Sequence, residues 1–128
     1  MAVNTVPDGY HSVTPYLLVR GVPAFIDFLT NAFDATETDR STIDGTVMHA
    51  EVQIGDSRVM IGEATPMPAS IYLYVGDADA TYRRALNAGA TTLQEPIDTP
   101  YGDRRAGVTD LFGNQWWIAT RVREVEHS

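Results

Sequence analysis

The strongest candidates for acid–base chemistry in this sequence are His49 and Glu51, two residues apart in an extended segment. Alternation along residues 47–54 puts both side chains, together with Gln53, on one face of a predicted strand. Neighbours on one face lie roughly 7 Å apart at Cα, so an imidazole and a carboxylate can orient each other or share a proton. The alternative is a hydrogen-bonded polar strand without chemistry of its own. We predict that the other, apolar face packs against a helix: Met48, Ala50, Val52 and Ile54.

Aromatic residues recur at matching places in the two halves of the chain. Tyr72 and Tyr74 alternate onto one face of a predicted strand, and Tyr16 occupies the equivalent place in the first half. With Trp117 or its neighbour Trp116, they can line a site for a planar, apolar or cationic ligand. Taken singly, each ring is better explained by core packing or a dimer contact. Taken together, they suggest a ligand site.

A polar segment, residues 101–105, lies between a proline-bounded loop and a strand. An arginine at this place, Arg104 in our assignment, can bind a carboxylate or phosphate at the mouth of a cavity through a bidentate contact. Asp103 can instead neutralise it in a structural ion pair. We include Tyr101 and Arg104 among the candidate ligand-binding residues.

Two successive segments have the same predicted order, strand–helix–strand–strand–strand. The first helix has Pro23 in its opening turn, and the second is capped by Asp77 and ended by Gly89. Val19 and Val75 are one of several identities at a spacing of 56 residues, which supports a duplication. The predicted strands are residues 13–20, 36–43, 46–54 and 58–61, then 71–75, 90–93, 104–109 and 115–120, with a loop at 96–102.

This order and its motifs resemble the vicinal oxygen chelate superfamily, which includes glyoxalase, bleomycin-resistance proteins, fosfomycin-resistance enzymes and extradiol dioxygenases. More narrowly, the chain resembles the PhnB-like branch. The segments that carry the resemblance cover nearly the whole chain in the family's order: residues 14–19, 47–51, 54–57, 72–75, 88–91, 101–104 and 110–116.

The resemblance implies an α+β fold of two tandem βαβββ modules. Their curved mixed sheets surround a cavity, and their helices lie on the convex side. We expect a single domain over residues 1–128, with module one at about 13–63 and module two at about 70–121. Family members often enclose the cavity between subunits, so we expect a homodimer.

Metal-dependent relatives hold their ion with His, Gln or Glu at four strand positions. In this chain the resemblance places three of those positions at or near Thr14, Ser70 and Trp117, and the fourth around residues 60–62, with Glu63 just beyond. Neither hydroxyl is a competent primary ligand without imidazole or carboxylate neighbours, and tryptophan does not ligate. We therefore predict neither metal nor other cofactor.

Composition excludes several mechanisms. The chain has 128 residues, of which 44% are hydrophobic and 20% charged, as in an ordinary globular domain. The lack of Cys excludes thiolate chemistry, and the lack of Lys excludes a Schiff base. Seventeen acidic against nine basic residues give a net charge of −8, which argues against nucleic acid as a partner. Without a spanning segment, we expect a cytoplasmic protein with no membrane partner.

Three functions fit these observations. We favour a metal-free protein that binds an unknown small molecule, with Tyr16, Gln53, Tyr72, Tyr74, Tyr101, Arg104 and Trp117 as ligand-binding residues. The alternative is a lyase, isomerase or dioxygenase that uses a non-inherited metal site or the acid–base pair His49 and Glu51. A third possibility is a protein that acts by association, with its cavity filled by side chains. Because the family's metal-ligand positions fall on Thr14, Ser70 and Trp117, we favour a binding protein over an enzyme.

Overall fold

The computed structural model describes residues 5–124, so residues 1–4 and 125–128 of the expected domain lie outside the described part. Eight strands and two helices follow one another there: β1 (Tyr16–Val19), α1 (Val22–Phe33), β2 (Thr36–Ile43), β3 (Thr46–Ile54), β4 (Ser57–Glu63), β5 (Ser70–Tyr74), α2 (Ala78–Asn87), β6 (Thr91–Asp98), β7 (Asp103–Thr109) and β8 (Gln115–Arg121). The predicted α+β class and the repeated order of elements are confirmed. Within residues 5–124, neither helix is long and apolar enough to cross a membrane.

The chain divides into two compact units. The first extends to Thr30 and continues from Asp34 to Met67, and the second takes residues 31–33 and the chain from Pro68 onward. Each unit contains one open sheet of four strands, ordered β1-β4-β3-β2 and β5-β8-β7-β6. In both sheets the first strand pairs in parallel with the last, and the other neighbours are antiparallel. The two sheets therefore have the same topology.

The first sheet has one buried apolar face, which follows from alternation along its strands. The buried residues are Leu17, Val19, Ala50, Val52, Ile54, Val59 and Ile61. Glu51 pairs across the sheet with Met60, and Met60 pairs with Tyr16, so these three side chains lie on the opposite face. His49 and Gln53 share that face with them because they alternate with the buried residues of β3.

Met48 departs from the predicted alternation. Its side chain is 37% exposed, whereas Ala50 and Val52 on the same strand are fully buried. The pairing of β2 with β3 shifts between Ser41 and Thr42, and the shift leaves Met48 as the extra residue of a bulge. A bulge re-aims the side chains beside it. The prediction that Met48 belongs to the buried face is therefore wrong.

The N-cap residue of the first helix is Gly21, which has no side chain to accept hydrogen bonds from the first N–H groups of the helix. Glu63, the last residue of β4, takes that role: its Oε1 accepts hydrogen bonds from the Gly21 N–H at 2.9 Å and the Val22 N–H at 3.2 Å. A carboxylate at a helix N-terminus satisfies free N–H groups and interacts favourably with the helix dipole. The apolar face predicted for this helix is buried: Val22, Phe25, Ile26, Leu29 and Phe33.

The second sheet is covered on one face by α2, which packs on β6, β7 and β8. As predicted, Asp77 caps this helix: its side chain accepts a hydrogen bond from the Ala80 N–H at 3.1 Å. The ring of Trp116 on β8 lies 4.8 Å from that of Phe33, centroid to centroid. Apolar side chains of the covered face and of the helix form the core of this unit: Ala106, Val108, Trp116 and Ile118 from the sheet and Ala85 from α2.

The strand β6 is longer than predicted. The sequence predicts a strand at 90–93 and a loop at 96–102, but β6 continues through Pro96 to Asp98. Pro96 lies where the pairing with β7 is irregular, between Gln94 and Ile97. Because β6 is an edge strand, a residue without an N–H costs it no hydrogen bond on its outer side.

Candidate functional site

A buried carboxylate anchors the face of the second sheet that α2 does not cover. Asp103 is 1% exposed, and its Oδ2 accepts hydrogen bonds from the Tyr72 hydroxyl at 2.7 Å and the Tyr74 hydroxyl at 2.9 Å. The Asp103 N–H donates to Thr99 Oγ1 at 3.0 Å, and the Thr99 N–H donates to the Asp103 carbonyl at 2.8 Å. The bonds with Thr99 fix the Asp103 backbone, and the carboxylate holds both phenols.

The two tyrosines present their rings side by side. Their centroids are 5.3 Å apart and their planes are inclined by 53°. Tyr72 is 40% exposed and Tyr74 is 58% exposed, so hydrogen bonds hold these rings more than burial does. Tyr72 pairs with Trp117 across the parallel β5–β8 pair, so of the two tryptophans it is Trp117 whose ring shares a face with the tyrosines.

Trp117 lies against the backbone of Gly107 on β7. A Cβ atom at Gly107 would lie 2.7 Å from Trp117 Cζ3, so glycine is required for this approach. The indole N–H donates to Ser70 Oγ at 3.2 Å, and the Arg105 guanidinium lies 4.8 Å from the indole ring centroid. We refer to Tyr72, Tyr74, Asp103, Arg105 and Trp117 together as the aromatic face.

Both tyrosines of this face have a pKa above the ordinary value for a phenol, so they keep their protons to higher pH. Burial, followed by the hydrogen bond to Asp103, raises the pKa of Tyr72. The hydrogen bond to the same carboxylate is the main cause that raises the pKa of Tyr74. A phenolate next to the Asp103 carboxylate is disfavoured because the two negative charges repel each other. At neutral pH both groups are therefore hydrogen-bond donors.

In an alkaline titration followed at the phenolate absorbance, we expect two tyrosines to ionise above the ordinary pKa of about 10. In the Asp103→Asn variant both should ionise at lower pH, because the carboxylate that opposes the phenolate is gone. Asp79→Asn, on α2 and in contact with Arg104, should leave the curve unchanged. A curve that is the same for Asp103→Asn and the parent protein would contradict the arrangement.

Arg104 lies on the opposite face from these rings, contrary to its expected role. Its guanidinium forms a two-pronged contact with Asp79 of α2 at 3.0 and 3.2 Å, and a further ion pair with Asp98 at 3.5 Å. Strand alternation puts Arg104 on the side of Ala106 and Val108, which are buried. The structural ion pair that the sequence left open thus exists, but its carboxylate is Asp79.

Arg105 takes the place that the sequence assigned to its neighbour. It donates through Nε to Gln94 at 3.1 Å and through Nη1 to the Tyr101 hydroxyl at 2.6 Å. Tyr101 therefore touches the aromatic face through Arg105 and is 41% exposed. The sequence contained a signal for this assignment, because Arg104 is in phase with the apolar residues of β7 and Arg105 is not.

The predicted acid–base pair meets on the face of the first sheet opposite its buried apolar residues. The His49 Nε2 and Glu51 Oε2 atoms are 3.4 Å apart, and both side chains retain some exposure. Tyr16 packs edge-on against the imidazole with centroids 5.9 Å apart, and its hydroxyl lies over Gly62. The structure therefore brings Tyr16, His49 and Glu51 together.

Gln53 is occupied by local contacts at the end of the same face. Its amide N–H donates to the Gly55 carbonyl at 2.9 Å, within the β3–β4 turn, and its oxygen accepts from Arg58 Nε. The Arg58 guanidinium also lies 5.4 Å from the Tyr10 ring centroid. Gln53 thus holds the turn and Arg58, and it does not touch His49 or Glu51 through a hydrogen bond.

The family's metal does not fit the donor set of this chain. The Thr14 hydroxyl donates to the His11 carbonyl, Ser70 accepts from Trp117, and the Trp117 ring is covered by Arg105. Glu63, the carboxylate closest in sequence to the fourth position, caps α1. No group of three or more His, Cys, Asp or Glu side chains converges among residues 5–124.

Comparison with known protein families and curated proteins identifies relatives across almost the entire chain. The family model described as Glyoxalase/Bleomycin resistance protein/Dioxygenase superfamily matches residues 9–118. An uncharacterized protein of Mycobacterium bovis is 37% identical over 98% of this chain and 90% of its own length. An uncharacterized protein of Mycobacterium tuberculosis shows the same identity over 81% of its length.

Solved structures with the same fold have lower sequence identity. TioX from Micromonospora sp. ML1 superposes with a TM-score of 0.74 at 23% identity, over 92% of this chain and all of that one. A PhnB protein from Bacillus cereus superposes with a TM-score of 0.65 at 19% identity, over 86% and 99% of the two chains. At such identities the likeness shows the fold alone.

Proposed function

Because the chain belongs to the glyoxalase/bleomycin resistance protein/dioxygenase superfamily, we propose that it is a metal-free protein that binds a small molecule on its aromatic face. Superfamily membership alone leaves both binding and catalysis open. The donor set argues against the family's metal chemistry, since the positions in question are occupied by hydroxyls, an indole and a capping carboxylate.

One observation carries the proposal: two partly exposed tyrosine rings are held in place by a buried carboxylate beside Trp117. Leaving aromatic surface exposed to water forgoes a stabilisation of roughly 25 cal/mol for each Å² that burial would remove from water. Burying a carboxylate costs several kcal/mol before its hydrogen bonds compensate. Rings that are exposed and already fixed in place suit a ligand that stacks on them, because less conformational freedom is lost on binding.

Naphthalene-2-carboxamide, a neutral planar probe, tests the proposal by NMR. The chain has two tryptophans, and their indole N–H signals report on different surroundings. Trp117 donates to Ser70 on the aromatic face, whereas Trp116 donates to Asp110 at 2.8 Å and is fully buried. We expect the Trp117 signal to shift saturably with added probe and the Trp116 signal to stay.

Matched variants show whether the rings themselves bind. Tyr74→Ala should weaken the probe about threefold to tenfold, the usual value of one aromatic contact. Tyr82→Ala removes a tyrosine of α2 whose hydroxyl bonds to Thr92, and should change the affinity by less than about twofold. Shifts confined to the His49 imidazole would refute the proposal and favour the acid–base alternative on the first sheet.

We further propose that the chain belongs to the PhnB-like branch and forms a homodimer. The branch is supported by the fold shared with the Bacillus cereus PhnB protein. The dimer is supported by β2, an edge strand that is exposed along its whole length. Such an edge offers unpaired backbone groups to a second chain.

A further inference from the structure

If the aromatic face binds a small molecule as proposed, we infer that its ligand is an aromatic acid, whose ring stacks on the tyrosines and whose carboxylate pairs with Arg105. The inference rests on the proposed function and adds the chemical class of the ligand. It starts from the charge of Arg105 and the partners that hold it.

Arg105 is held entirely by neutral groups within residues 5–124. Its partners are the Gln94 oxygen at 3.1 Å, the Tyr101 hydroxyl at 2.6 Å and the Trp117 ring at 4.8 Å. Arg40 pairs with a glutamate at 2.6 Å and Arg104 with an aspartate at 3.0 Å, whereas Arg58 on the first sheet is held, like Arg105, by a glutamine and an aromatic ring. Although the chain has seventeen acidic and nine basic residues, no carboxylate among residues 5–124 forms an ion pair with this partly buried guanidinium.

The carboxylate on the same face does not neutralise Arg105. Asp103 gives its Oδ2 to the two tyrosine hydroxyls, and it makes no ion pair with Arg105 among the described residues. The residue directly opposite Asp103 in the β7–β8 register is another arginine, Arg121. A partly buried cation without an anion is poorly compensated. An anionic ligand would supply the missing charge.

The contacts of Arg105 also leave it able to bind. An arginine has five N–H donors, and these contacts use one on Nε and one on Nη1, which leaves one donor on Nη1 and two on Nη2. The three partners of the guanidinium lie on different elements, Gln94 on β6, Tyr101 in the loop before β7 and Trp117 on β8, and together they hold it in one place. A guanidinium fixed in this way loses little freedom when it pairs with a carboxylate.

The spacing of the two parts suits one bicyclic molecule. Tyr74 lies on β5 and Arg105 on β7, and both pair in register with Ala119 of β8 between them. Two strand spacings separate their backbones by roughly 10 Å. An aromatic bicycle with a carboxylate at its end is about that long, and it would lie beside the Trp117 ring that Arg105 contacts. The tyrosine hydroxyls carry no negative charge, and Asp103, the acid of this face, is buried and bonded to both of them.

A matched pair of probes tests the inference on the full chain. Naphthalene-2-carboxylate and naphthalene-2-carboxamide have the same ring and differ in charge. We expect the carboxylate to shift the Trp117 indole signal with about tenfold higher affinity, as a charge-assisted contact provides. The preference should diminish as NaCl is added.

Arg105→Gln should abolish the preference while the carboxamide still binds. Arg83→Gln makes the same change of charge on the exposed surface of α2, and should keep the preference. An unchanged Trp116 signal verifies the fold of each variant. Salt dependence in the parent protein keeps the test valid if Arg105→Gln does not fold.

Each contrary result has a distinct meaning. Equal affinity for the two probes would overturn the aromatic-acid inference and leave the proposed function standing. A preference that survives in Arg105→Gln would overturn the role of Arg105. Failure of both probes to shift Trp117 would overturn the proposed function and the inference together. A Trp117 signal that moves with protein concentration alone would show a second copy on this face and overturn both.

Discussion

Replacing Asp110 with alanine should lower the free energy of unfolding by about 3–5 kcal/mol, because several buried donors would lose their acceptor. Asp110 Oδ1 accepts from the Phe112 N–H at 2.8 Å and the Asn114 N–H at 3.0 Å. Its Oδ2 accepts from Asn114 Nδ2 at 3.3 Å and Trp116 Nε1 at 2.8 Å. Asn114 and Trp116 are almost fully buried, so water does not readily replace the carboxylate.

Urea unfolding followed by tryptophan fluorescence measures the effect. Asp110→Asn keeps one acceptor oxygen but turns a donor towards Asn114 and Trp116, so its loss should be intermediate. Asp98→Ala is the matched control: its side chain is 75% exposed and 3.5 Å from Arg104, and it should cost less than about 1 kcal/mol. An Asp110→Ala protein as stable as the Asp98→Ala protein would disprove the assigned role of the carboxylate.

Val52→Asp is expected to destabilise the first unit by more than about 4 kcal/mol, or to prevent folding. Val52 is 0% exposed in the middle of β3. The substitution removes buried apolar surface and puts an unpaired charge in its place. Circular dichroism and chemical unfolding would detect the loss.

Met48→Asp, on the same strand and with the same sequence parity, separates the structure from simple alternation. We expect it to cost less than about 1 kcal/mol, because Met48 is exposed at the bulge. Simple alternation assigns both residues to the buried face and predicts two severe losses. Equal destabilisation by the two substitutions would therefore contradict the bulge.

The comparison of these two residues shows how far sequence patterns extend. Alternation predicts the buried positions Ala50 and Val52 because each depends only on the local period of the strand. It does not predict Met48, since the bulge arises from the pairing of β3 with β2. Periodicity likewise predicts the helix faces, but the length of β6 depends on its pairing with β7.

The candidate site divides in the same way. The sequence predicts that Tyr72 and Tyr74 share a face, because they lie two apart on one strand. Their convergence on Asp103 could not be predicted, since β5 and β7 are separated by β8 in the sheet. The choice of Arg105 over Arg104 was within reach of the sequence, because the phase of Ala106 and Val108 assigns Arg104 to the covered face.

Intermolecular nuclear Overhauser effects from bound naphthalene-2-carboxylate test the central claim most directly. If the aromatic face binds small molecules, the naphthalene protons should show effects to the ring protons of Tyr72, Tyr74 and Trp117, and none to the buried ring of Trp116. Effects to Tyr16 and His49 instead, or none to any of these rings at saturating probe, would contradict the account.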